Sequence, residues 1–116
     1  MYYFLYEEES TVKASNNSVV YGVLQDELER NRRMQARYHK EIDQLPKGSL
    51  FQRNIGNHQY YYLNYRVRNR VVSKYLGKLD DKKAEAMKKQ VAERKRYEDL
   101  LRKLRNEEKF ITKAIR

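Results

Sequence analysis

No cysteine occurs in the 116-residue chain, which removes disulfides, thiol catalysis and cysteine-based zinc sites and fits a reducing compartment. Tryptophan is also absent, phenylalanine occurs three times, and Pro46 is the single proline. No window approaches the roughly 18 apolar residues that a membrane-spanning helix needs. The opening Met1-Tyr2-Tyr3-Phe4-Leu5-Tyr6 and Glu7-Glu8-Glu9 lack the basic region and long apolar stretch of a signal peptide. A soluble, cytoplasmic protein without membrane association is therefore expected. Phosphate-binding glycine loops and nucleophile elbows are missing as well. The two histidines, His39 in a helix and His58 in a turn, stand in no metal-ligand spacing. Glu7, Glu8 and Glu9 read as a solvated loop rather than a metal cage. These absences point away from an enzyme and imply no metal or cofactor, although a carboxylate–metal nuclease needs no local motif.

What the chain does have is tyrosine and positive charge. Eleven tyrosines supply nearly all the aromatic mass, and 26 Lys and Arg against 16 Asp and Glu give a formal charge of +10. Tyrosine carries an apolar body and a polar tip, so it suits half-buried surfaces and interfaces. The charge excess exceeds what solubility needs and attracts polyanions: nucleic acid, anionic lipid or acidic protein.

The order of elements follows from hydrophobic period. Residues 2–6 suit a short edge strand and residues 7–17 an acidic, polar loop. Asn16, Asn17 and Ser18 offer N-cap oxygens. From there Val20, Leu24, Leu28, Met34, Tyr38, Ile42 and Leu45 recur at mostly three- or four-residue steps, with one six-residue gap, until Pro46 ends the helix. Next come a strand over 50–55, a Gly56-Asn57 turn, a strand over 58–68, a turn at Asn69 and a strand over 71–76. In the middle strand Tyr61, Leu63, Tyr65 and Val67 share one face, and Tyr60, Tyr62, Asn64, Arg66 and Arg68 the other. Asp80 or Asp81 then caps a second long helix, with an apolar stripe of Ala84, Met87, Val91, Tyr97, Leu101, Leu104, Ile111 and Ile115. The heptad repeat in it is only partial. The expected fold class is α+β: long helix, three-stranded antiparallel β-meander, second long basic helix. Residues 1–17 form a separate strand-and-loop segment, and 18–116 a single helix–meander–helix domain.

Two basic constellations carry functional weight. On the meander, Arg53, Arg66, Arg68, Arg70, Lys74 and Lys78 supply phosphate donors, and Tyr60 and Tyr62 supply flat faces for base stacking. On the helix over 82–105, Lys88, Lys89 and Arg96 lie among other cations able to follow a phosphate backbone or an acidic protein groove. The bland alternatives are tyrosines packed on the helices, arginines that only solvate, and helical i,i+4 pairs such as Glu85–Lys89 and Glu98–Arg102.

Gly48-Ser49-Leu50, Tyr60-Tyr61-Tyr62-Leu63 and Val72-Ser73-Lys74-Tyr75-Leu76-Gly77-Lys78 together resemble a family of short uncharacterised domains of bacteria, archaea and their mobile elements. The resemblance covers roughly residues 44–105, with residues 1 to about 40 looking like an added part. The Tyr-Leu-Gly-Lys hairpin is similar to those near the starts of some transposases, and integrase arm-binding sheets use a comparable meander. The resemblance thus implies nucleic-acid engagement by the sheet. Arg68-Asn69-Arg70 stands where such sequences commonly have glycine, and Asn69 is the residue expected to take the left-handed conformation. Small basic proteins of this size are also common among phage-encoded inhibitors such as anti-CRISPR proteins. The expected function is non-enzymatic binding of DNA or RNA. An inhibitor of an RNA-guided nuclease or its guide RNA, and a helical protein–protein adaptor, stay open as alternatives.

Overall fold

The computed structural model describes residues 18–116, so the strand expected over residues 2–6 and the loop over 7–17 lie outside the described residues. Five elements follow in order: α1 (Val19–Asp43), β1 (Ser49–Ile55), β2 (His58–Val67), β3 (Arg70–Lys78) and α2 (Asp81–Ile115). The fold is α+β, a helix, a three-stranded antiparallel meander and a helix, as the periodicities predict. It divides into two compact units: the described residues up to His39 with Leu100–Arg116, and Lys40–Asp99.

In the first unit, Ser18 is the cap among the three candidates, its Oγ accepting the Tyr21 N–H at 2.9 Å. That satisfies one of the amides a helix start leaves open and contributes about 1 kcal/mol. Leu28, Leu101, Leu104 and Ile111 are buried, whereas Val20 is exposed. The six-residue gap in the α1 stripe is filled by Asn31, whose relative exposure is 0%. Its Nδ2 donates to the Leu104 carbonyl and its Oδ1 accepts from Gln35, so the buried amide is satisfied rather than stranded.

A charged cluster continues this seam. Arg32 Nε donates to Glu108 Oε2 and Gln35 Nε2 to Glu108 Oε1, both at 2.9 Å. The Arg32 hydrogen bond, seconded by Gln35, holds the Glu108 carboxyl below the ordinary glutamate range. A carboxyl depressed in the folded state contributes stability that is fully present above its unfolded value, about 4.3. That contribution is lost as pH falls through the lower folded value. Glu108→Gln is expected to flatten the fall in melting temperature over this acid range. An acid limb identical to that of the parent protein would remove Glu108 from the account.

In the second unit α1 ends at Asp43, and Pro46 follows as expected. Proline lacks the N–H that would have reached back to the Ile42 carbonyl. Leu45 N–H bonds that carbonyl at 3.1 Å, and Arg94 Nη1 adds bonds to the carbonyls of Ile42 at 2.8 Å and Leu45 at 2.7 Å. Arg94 occupies the step missing from the α2 stripe between Val91 and Tyr97. Its Nε also meets Glu98 Oε2 at 3.3 Å, so Glu98 is engaged by Arg94, four residues before it. Asp80 is the α2 cap, its Oδ1 accepting the Lys83 N–H at 2.7 Å.

The meander has strand order β1-β2-β3. Ile55 pairs with His58 across the Gly56-Asn57 turn, so His58 opens β2 instead of lying in the turn. Gly56 has φ 62°, at the first central position, where a II′ turn places glycine. In the second turn Val67 pairs with Arg70, and Arg68, not Asn69, takes the left-handed conformation at φ 57°. Register decides this: Arg68 sits at the first central position, the one whose sense must match the strand twist, and it carries a cost of about 1–2 kcal/mol there. Tyr61 pairs with Gly77 and Tyr62 with Tyr75, so Leu76 is the extra residue of a β-bulge.

Candidate nucleic-acid interface

Alternation and register sort the meander into two faces. Tyr61 and Leu63 are 3% and 4% exposed, so the face they share is packed. On the opposite, open face Tyr60 stands between Arg53 and Lys78, Tyr62 between Phe51 and Tyr75, and Asn64 between Ser49 and Ser73. Side chains directly opposite on one face are the closest neighbours a sheet provides. The rings of Tyr62 and Tyr75 lie 5.3 Å apart, those of Tyr60 and Tyr75 6.4 Å, and those of His58 and Tyr60 6.3 Å. Lys78 Nζ stands 5.9 Å from the centre of the Tyr60 ring, within cation–π range. Ser73 Oγ donates to Asn64 Oδ1 and fixes the next step along the face. Phe51 is 52% and Tyr75 57% exposed, large rings left open to solvent rather than used as core.

The basic residues expected to act together are therefore divided. Arg53, Arg66 and Lys78 share the open face with Tyr60 and Tyr62. Arg68 lies in the turn, and Arg70 and Lys74 pair with Val67 and Leu63, at positions of the opposite face. The bulge at Leu76 is the physical reason that Lys74 and Lys78 part company, because one extra residue reverses the alternation between them. On α2, Lys88 and Lys89 are exposed. Arg96 has its guanidinium 4.8 Å from the Tyr97 ring centre and 3.8 Å from Glu93.

Two residues of the open face, Phe51 and Tyr75, are absent from the sequence-derived set. Counting outward from the two-residue turns places both opposite Tyr62, so turn arithmetic was the signal that finds them. No group of three or more potential metal ligands is present among the described residues. No described helix is long and apolar enough to cross a membrane.

Comparison with known proteins gives one family. No curated protein and no solved structure matches the chain. A family described as a domain of unknown function, DUF6788, matches residues 24–86. The match begins inside α1 and takes in all three strands, so the helical residues from Leu24 onward go with the meander instead of forming an added part. The match over residues 24–86 covers more than half of this sequence, and the chain belongs to the DUF6788 family.

Proposed function

We propose that the protein is a non-enzymatic nucleic-acid-binding module that takes single-stranded DNA or RNA on the open face of its meander. The observation that carries this reading is the contiguous set of Phe51, Tyr60, Tyr62 and Tyr75 with Arg53 and Lys78 at its sides. Exposed rings on a sheet offer stacking platforms to unpaired bases, and flanking cations meet the phosphates, a combination tolerant of sequence. The charge of +10 draws the polyanion in and makes binding salt-dependent. The likeness of the hairpin to transposase starts suggests nucleic acid of mobile elements as the setting.

Fluorescence anisotropy with labelled single- and double-stranded DNA and RNA at several salt concentrations tests the reading. Each stacked base contributes about 1–3 kcal/mol, so Tyr62→Ser with Tyr75→Ser is expected to raise Kd for single strands by roughly thirtyfold or more. Arg53→Gln with Lys78→Gln should lower the logarithmic salt slope by about 1.4, near 0.7 per phosphate contact. Unchanged affinity in the double-tyrosine variant would refute stacking on this face. No binding of any oligonucleotide at low salt would turn the face toward a protein partner.

A further inference from the structure

The ladder between β1 and β2 ends at Ser49 and Asn64, so Tyr65, Arg66 and Val67 continue without a β1 partner. Beside this end lies an open cleft of about 330 Å³, lined by Lys47, Ser49, Asn64 and Arg66 from the meander and its approach, and by Arg94 and Lys95 from α2. All of these residues belong to the second unit.

Charge in the cleft is unbalanced. Glu98, the one carboxylate in the lining, is joined to Arg94, which is further occupied by the carbonyls of Ile42 and Leu45. Lys47, Arg66 and Lys95 are exposed and form no ion pair among the described residues. Lys47 Nζ is held 5.7 Å from the Tyr65 ring centre, in contact with a ring instead of a carboxylate. The Ser49 hydroxyl adds a donor on the same lining. The wall at Gly48 is bare of side chain, and a Cβ there would overlap the Asn64 carbonyl and the Tyr65 Cβ.

We infer that this cleft is an oxyanion site that takes a phosphate group. Two ammonium groups, a guanidinium and a hydroxyl come from three chain segments, Lys47 with Ser49, Arg66, and Lys95. They suit a tetrahedral anion with several acceptor oxygens, and the guanidinium can engage two of them at once. Asn64 and Arg66 occupy the next positions along the open face after Tyr60 and Tyr62. A strand stacked on those rings therefore runs toward the cleft, which receives either an internal phosphodiester or a terminal phosphate. In this respect the inference rests on the proposed function, but the anion site itself does not require it.

The test is a titration of the full chain with inorganic phosphate at constant ionic strength, balanced with sodium chloride and followed by amide NMR. Saturable shifts at Gly48, Tyr65 and Arg66 are expected. Lys47→Gln with Lys95→Gln should weaken that binding by roughly tenfold or more and leave the melting temperature unchanged, since both side chains are exposed. Tyr62→Ser with Tyr75→Ser should leave the phosphate shifts intact even if it abolishes oligonucleotide binding, so failure of the stacking reading is seen separately. Tighter binding of a 5′-phosphorylated than an unphosphorylated oligothymidylate, lost in the lysine variant, assigns the site to a terminal phosphate. Equal binding of the two, weakened equally in that variant, assigns it to a phosphodiester. Non-saturating shifts, shifts reproduced by chloride, or shifts that persist in the double-lysine variant would overturn the inference.

Discussion

Gly48→Ala is expected to destabilise the protein by about 3 kcal/mol or more. Gly48 has φ 101°, outside the range that side-chain-bearing residues adopt readily. Strain of that kind costs about 1–3 kcal/mol by itself. The second contribution is steric, because the added Cβ would meet the Asn64 carbonyl and the Tyr65 Cβ, atoms of the central strand and not the tip of a flexible side chain. To relieve the overlap β1 must withdraw from β2 at its first pair, Ser49 with Asn64. Total stabilities of small domains are about 5–15 kcal/mol, so a loss of this size is visible directly in a urea or thermal melt. Gly22→Ala is the matched control. Gly22 lies in α1 with open space around its Cβ position, and the change should stabilise by about 0.5–1 kcal/mol. Equal melts for Gly48→Ala and the parent would refute the close approach.

Arg94→Met should be nearly as damaging, about 2–4 kcal/mol, since hydrogen bonds to a charged group contribute about 1.5–3 kcal/mol each and the carbonyls left behind lose a partner. Its guanidinium bonds two carbonyls at the end of α1, where the negative end of the helix dipole also favours a cation. Pro46 gives the position its weight, because it supplies no N–H of its own and the Ile42 carbonyl is left with the Leu45 N–H alone. Methionine keeps most of the aliphatic stem, so the change isolates the guanidinium from the packing. A fall in Tm of roughly 10 °C is expected for a chain of this size. Arg94→Lys should recover part of it, a single ammonium being a poorer bridge between two acceptors than a planar fork. A change within about 0.5 kcal/mol, the scatter of ordinary surface substitutions, would show that α1 ends without this clasp.

Element type and order were legible because period, caps and turns agree. Pro46 stops one helix, Asp80 starts the other, and Gly56-Asn57 separates two strands of matching alternation. The interruptions in the apolar stripes were harder to read. The steps left vacant between Leu28 and Met34, Val91 and Tyr97, and Leu104 and Ile111 hold Asn31, Arg94 and Glu108. Each makes polar contacts with residues at least 49 positions away in the sequence. A polar residue at a core step is indistinguishable from a surface one until its partner is known, and those partners are backbone carbonyls or residues of another segment. The open face was legible as a Tyr-and-Arg alternation on β2, yet the side taken by Lys78, past the bulge in β3, was not. Hydrophobic alternation says nothing about where a strand inserts an unpaired residue, and Arg68 shows likewise that residue type does not choose which turn position becomes left-handed.

The unpaired Leu76 makes the surface chemistry of β3 a matter of counting as much as of composition. Between Tyr75 and Lys78 the strand changes phase, so tyrosine and lysine reach the same side although an odd number of steps separates them. Running the same four residues as a regular strand, without the bulge, would alter no side chain. It would nevertheless turn Lys78 toward the side of Tyr61 and Leu63 and take its ammonium away from the Tyr60 ring. The bulge in this segment is therefore as much a determinant of the basic aromatic face as the presence of its lysine.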